Sequence, residues 1–66
     1  MWVVVYVAPN RKVATYLKEL LEIEGIMVKI KDSRFVSHDE KNVEVMVSEV
    51  EIEEATEVIN NALQRA

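Results

Sequence analysis

Few side chains in this sequence could carry out covalent catalysis. The chain has one histidine, His38, together with three serines and no cysteine, so few nucleophiles and bases are available to pair. His38 lies in a polar stretch that we interpret as a loop, whereas catalytic groups are best held on rigid elements. We therefore predict no catalytic residue, no cofactor and no enzymatic activity.

The segment Asn10, Arg11 and Lys12 could bind an anion. Asn10 suits the N-cap of a following helix, where free backbone amides and two cationic side chains would favour a phosphate or a carboxylate. Basic residues oppose the helix dipole at this end, which favours a functional reason for them. A glycine-rich loop that would bring the backbone close to a phosphate is missing, so solvated surface is the alternative interpretation.

The stretch from Asp32 to Asn42 is polar, without periodicity, and longer than the roughly two to five residues of a common hairpin loop. We predict a contact loop whose candidate residues are Arg34, Phe35 and His38. Phe35 either packs onto the domain or contacts a partner. Three adjacent residues rarely converge on one ion, so the segment His38-Asp39-Glu40 predicts no metal site.

Length and composition limit the function classes. A chain of 66 residues is predicted to form a single domain, residues 1–66, whose small core gives marginal stability. The absence of cysteine excludes disulfides and the commonest zinc sites, so oligomerisation is the expected reinforcement. A net charge of −4 argues against nucleic-acid binding.

The longest apolar run, which includes Val3 to Ala8, is much shorter than the about 20 residues that cross a bilayer. It begins too close to Met1 to follow the basic region of a signal peptide. We therefore expect a cytoplasmic protein without a membrane partner.

The first half of the chain predicts a strand followed by a helix. The β-branched and aromatic residues from Trp2 to Val7 fit a pleated surface. Between Arg11 and Glu24, apolar residues recur at spacings of three and four, which is typical of an amphipathic helix. These residues are Val13, Leu17, Leu20 and Leu21. Gly25 is predicted to close this helix at the C′ position, with Ile26 folding back toward Leu21.

The second half predicts two half-buried strands and another helix. Every second residue is valine or isoleucine from Ile26 to Lys31 and from Val43 to Val47. This alternation is typical of an antiparallel sheet with one solvated face. Ser48 and Glu51 have the spacing of a capping box at the start of the second helix. The apolar stripe of that helix is Ile52, Ala55, Val58, Ile59, Ala62 and Leu63.

These elements predict an α+β fold in the order β-α-β-β-α. Two apolar-striped helices must cover one face of the sheet, and the crossover from the first strand should be right-handed. We expect a ferredoxin-like two-layer sandwich that lacks its final strand, with the third strand lying between the first two and antiparallel to both.

The first strand would then lie at an edge with no charged side chain to protect it, and such an edge favours pairing with another chain. If Val3, Val5 and Val7 face the helices, an apolar row faces away from them, and such a patch usually marks a contact surface. The predicted partner surface consists of Trp2, Val4, Tyr6, Met27 and Met46. We expect a homodimer.

Several segments resemble a known small bacterial family, the putative prokaryotic signal-transducing proteins. They are Val5-Tyr6-Val7-Ala8-Pro9-Asn10, Leu20-Leu21-Glu22, Glu24-Gly25-Ile26, the strand from Val43 to Val47, and the helix start at Ser48 and Glu54-Ala55. The resemblance covers nearly the whole chain. It implies a fold similar to half of a PII-type, ferredoxin-like signalling protein, and it carries no catalytic signature.

Two functional interpretations follow. In the first, the chain is a self-associating regulatory module that binds a small anionic metabolite at the turn after the first strand. In the second, it is a dimeric interaction domain that binds a protein partner and no small molecule.

Overall fold

The computed structural model describes residues 1–33 and 41–64. Its elements follow the predicted order, and the three strands form one antiparallel sheet in the order β1-β3-β2. The elements are β1 (Trp2–Ala8), α1 (Arg11–Ile23), β2 (Val28–Asp32), β3 (Val43–Ser48), one 3-10 turn (Glu49–Glu51) and α2 (Ile52–Gln64). The predicted ferredoxin-like α+β architecture is confirmed.

A β-bulge interrupts the first strand at Val5. Val4 of β1 lies opposite Met46 of β3, but the next paired residue of β1 is Tyr6, which lies opposite Val45. Two residues of one strand therefore span a single step of its partner, and the side chains after the bulge change faces.

The first helix begins and ends as its sequence predicts. The side chain of Asn10 accepts a hydrogen bond of 2.9 Å from the backbone N–H of Val13. At the other end, Gly25 has a φ of +82°. The N–H of Ile26 donates to the carbonyl of Leu21, and the N–H of Gly25 donates to that of Glu22, both at 3.0 Å. This is the Schellman pattern.

The second helix begins differently from the prediction. Ser48 has the extended backbone of an N-cap, but its side chain makes no capping hydrogen bond. A 3-10 turn comes first, and the N–H of Glu49 donates to the carbonyl of Met1 at 3.0 Å. The predicted capping box is therefore wrong, because the hydrogen bond from the Ser48 side chain is not formed.

The core lies between the helices and one face of the sheet. Alternate residues of β3 are buried there, while the residues between them are half-buried on the other face. The largest fully buried side chains among the described residues are Leu17, Leu21, Val43, Val45 and Val47. Both helices contribute buried residues to this cluster, so both cover the same face. The result is a two-layer slab with principal extents of 34 × 29 × 15 Å.

The two strands β2 and β3 pair along the full length of β2, from Val28 opposite Val47 to Asp32 opposite Val43. A further hydrogen bond, from the N–H of Ser33 to the carbonyl of Asn42 at 3.0 Å, closes the base of their connection. The candidate contact residues Arg34, Phe35 and His38 lie outside the described residues. Among the helices that the structure describes, none is long and apolar enough to cross a membrane.

Candidate functional site

The face of the sheet opposite the helices is the main candidate site, and the strand register determines its composition. Residues paired across neighbouring strands share a face. The rows on this open face are Trp2 with Ser48, then Val4 with Met46 and Lys29, then Val7 with Glu44 and Lys31.

The open face is apolar on one side and polar on the other. The strand β1 contributes only Trp2, Val4 and Val7 to it, and all three are exposed. Lys29 and Lys31 of β2 are exposed at the opposite side. We call Trp2, Val4, Val7 and the adjacent half-buried Met46 the β1 patch.

One cation contacts the β1 patch from across the sheet. The Nζ atom of Lys29 lies 4.7 Å from the centroid of the Trp2 ring. Lys29 belongs to β2 and Trp2 to β1, so the two side chains meet above the central strand. A cation–π contact at an exposed site contributes about 0.5–1 kcal/mol and orients the ring at the edge of the patch.

Because of the bulge, the predicted surface is wrong at two positions of β1. Tyr6 was expected on the open face, but it pairs with the buried Val45 and packs against the core. Val7 was expected to face the helices, but it pairs with Glu44 and is 47% exposed on the open face. Met27 directly precedes β2 and is exposed, and its place in the partner surface stays a prediction.

The outer edge of β1 has no charged residue to discourage pairing with another strand, but it contains the bulge at Val5. Its seven residues carry no charge, whereas β2 at the other edge contains Lys29, Lys31 and Asp32. Charged residues and bulges both discourage pairing between sheet edges. Because the bulge interrupts β1, regular pairing at this edge is limited to the short segments on either side of Val5, although no charge on the strand opposes it.

The predicted anion site already contains a carboxylate. A nitrogen of the Arg11 guanidinium, Nη2, lies 2.6 Å from Oδ1 of Asp32, and both side chains are largely exposed. Asn10 uses its side-chain oxygen to cap α1, which occupies the N–H of Val13. Lys12 is exposed beside them. An anion added at this turn would compete with Asp32 for Arg11.

No polar or charged side chain is buried among residues 1–33 and 41–64. In the same ranges, no three His, Cys, Asp or Glu side chains are grouped so that they could hold a metal ion.

A family model described as putative prokaryotic signal transducing protein matches residues 2–63. No curated protein and no solved structure matches this chain. The matched range includes all three strands, the first helix, all of α2 except its last residue and every residue of the β1 patch.

Proposed function

Because this chain belongs to the family of putative prokaryotic signal transducing proteins, we propose that it is a non-catalytic regulatory module acting through protein contact. In this proposal, a second copy of the chain covers the β1 patch. The signal is a change in what the module contacts, and no substrate is converted.

One observation carries the proposal: the uneven distribution of apolar side chains on the open face. An antiparallel sheet with one solvated face normally presents polar residues there. Lys29, Lys31 and Glu44 follow that rule, whereas Trp2, Val4 and Val7 do not. Three exposed large apolar residues on one strand favour a contact surface over a solvated one.

The thin core supports a second copy as the molecule that covers the patch. Within residues 1–33 and 41–64, the largest fully buried side chains are two leucines and three valines, and no aromatic ring is among them. Small domains with a limited core commonly gain stability from oligomerisation. A twofold dimer is the commonest closed arrangement, since the same patch then contacts itself.

The sequence leaves two modes of association open, packing of the open faces and pairing of the β1 edges. Both modes would involve β1, which contributes most of the patch. Face packing would bury Trp2, Val4 and Val7, and edge pairing would satisfy the outer backbone groups of the same strand. The bulge at Val5 shortens any regular edge ladder. We therefore favour face packing centred on β1.

The contact between Arg11 and Asp32 favours the interpretation without a small-molecule ligand. An anion at Asn10, Arg11 and Lys12 would have to displace a carboxylate that lies 2.6 Å from the guanidinium. Binding of an anionic metabolite stays a prediction, as do the cytoplasmic location and the absence of membrane and nucleic-acid partners.

Sedimentation velocity over a range of protein concentrations tests the proposal. We expect the wild-type chain to form a dimer of 7.6 kDa subunits and Val4→Lys to remain monomeric. The matched control is Ile23→Lys, which places the same charge on α1 at a residue that is 78% exposed and distant from the patch. A wild-type chain that stays monomeric, or equal losses in both variants, would overturn the proposal.

A further inference from the structure

A groove runs between the two helices, on the opposite side of the molecule from the β1 patch. Its volume is about 380 Å³. The apolar residues that line it are Tyr16, Leu20, Ile26, Val58 and Ala62. Tyr16 is 54% exposed although it belongs to the first helix, whose buried residues face the sheet. The groove is therefore a depression on the outer surface of the helix layer whose exposed surface is about equally polar and apolar.

The charged residues around this groove all have one sign. Of the described residues that line it, Glu24, Glu54 and Glu57 are charged, and Asn61 is the remaining polar one. The segment from Glu49 to Gln64 carries five glutamates and no lysine or arginine. Within α2 these glutamates are Glu53, Glu54 and Glu57, so the negative charge is concentrated in the first half of the helix.

The apolar residues and the glutamates of the groove together limit the classes of molecule that could bind there. The negative potential repels nucleic acids and anionic lipid surfaces. A metal ion needs several carboxylates converging on one point, and the described residues contain no such group. The class of molecule that remains is a cation with an apolar part. Its apolar part could contact the apolar lining residues, and its charge could pair with the glutamates.

We propose that this groove binds a cationic amphipathic segment of a partner protein. An apolar side chain of that segment would lie against Tyr16 and Leu20, while flanking lysines or arginines would reach Glu54 and Glu57. Long cationic side chains suit this arrangement, because their aliphatic stems cover apolar surface while their charged ends stay near carboxylates and water. Amphipathic segments are commonly recognised in such grooves.

The inference is independent of self-association. The β1 patch lies on the open face of the sheet, and the groove lies on the helix layer that covers the other face. A dimer formed through the patch would leave both of its grooves accessible. Failure of either proposal would leave the other intact.

Titration calorimetry with the full chain and a synthetic leucine–lysine amphipathic peptide tests the inference. We expect saturable binding that weakens as salt is added, because exposed charge pairs are screened. A leucine–glutamate peptide of the same pattern should not bind. A scrambled leucine–lysine peptide should bind more weakly, since its apolar residues no longer share one face.

Variants then locate the binding site. The pair Glu54→Lys with Glu57→Lys should lower the peptide affinity about tenfold. The control pair Glu49→Lys with Glu53→Lys makes the same change in net charge on exposed residues outside the groove and should have a much smaller effect. Tyr16→Ala should also lower the affinity about tenfold, with Ile23→Ala as its control on the same helix.

Amide chemical shifts complete the test. Peptide addition should move the signals of Leu20, Val58 and Asn61 and leave those of Val4 and Met46 unchanged. The inference is overturned if millimolar peptide gives no binding, if both glutamate pairs have equal effects, or if the shifts occur at the β1 patch. Circular dichroism of each variant ensures that a lost affinity does not reflect unfolding.

Discussion

Gly25 is favoured by its backbone conformation, although the space around it would admit a side chain. A Cβ atom added there would meet no heavy atom within 4 Å, so no steric clash with the rest of the fold arises. The constraint is the backbone, since a φ of +82° lies in the left-handed region. Any cost of substitution is therefore conformational.

We predict that Gly25→Ala lowers the free energy of unfolding by about 1 kcal/mol. Gly25→Asn should cost less, because asparagine adopts the left-handed conformation more readily than alanine. Urea denaturation of the three chains measures both differences. Equal stability of the alanine variant and the wild type would contradict the Schellman closure of α1.

The ion pair between Arg11 and Asp32 makes a second prediction at the residue scale. The side chains are 58% and 79% exposed, so Asp32→Asn should change the free energy of unfolding by less than about 1 kcal/mol. The same substitution releases the guanidinium from its carboxylate. If the anion site exists, inorganic phosphate should shift the amide signals of residues 10–13 more in Asp32→Asn than in the wild type.

Two further variants serve as controls for that experiment. Arg11→Glu should abolish the response to phosphate. Glu22→Gln removes the partner of Lys18, another exposed ion pair on α1, at 3.1 Å, and should leave the response unchanged. No shift at millimolar phosphate in any of these chains would identify the turn as solvated surface.

At the scale of elements, the sequence predicts the helices and strands well because their periodicities are clear. The alternation in β3 and the stripe of α1 each identify one buried face, and the structure buries that face. The bulge in β1 could not be predicted, because every residue from Trp2 to Ala8 is apolar and either alternation fits. The 3-10 start of α2 was missed because Ser48 and Glu51 match a capping box by spacing alone.

The bulge makes a prediction that separates two adjacent residues. Tyr6→Lys should lower the free energy of unfolding by about 2 kcal/mol, because it replaces a ring packed against the core with a charge. Val7→Lys should change it by no more than about 0.5 kcal/mol, since that side chain points into solvent. A regular strand would give the opposite order. Urea denaturation at low protein concentration keeps association from contributing to either value.

At the scale of the whole molecule, part of the candidate site follows from the sequence. Trp2, Val4 and Met46 lie on the predicted open face, whereas Tyr6 does not and Val7 was missed. The contact of Lys29 with Trp2 joins residues of two strands separated by a third, and only the strand order and register bring them together. The helix groove was also missed, because its lining residues come from distant parts of the chain and include residues of the apolar stripes.

If a second copy of the chain stabilises this small domain, the thermal stability of the protein should depend on protein concentration. The melting temperature of the wild type should rise with each tenfold increase in concentration, because mass action favours the folded dimer. Met46→Lys should remove that dependence and lower the melting temperature. Glu44→Lys alters the same strand and face outside the β1 patch and should preserve the dependence. A wild-type melting temperature that is constant over this range would count against the dimer.

The cation over Trp2 has an optical consequence. Trp2 is the sole tryptophan of the chain, so its indole emission arises from one known place at the margin of the β1 patch. Any molecule that covers the patch would exclude water from the ring and displace the ammonium group above it. The emission should then shift to shorter wavelength and change in intensity, while binding at the helix groove should leave the spectrum unaltered. The protein thus carries an intrinsic fluorophore that distinguishes its two candidate surfaces without a label.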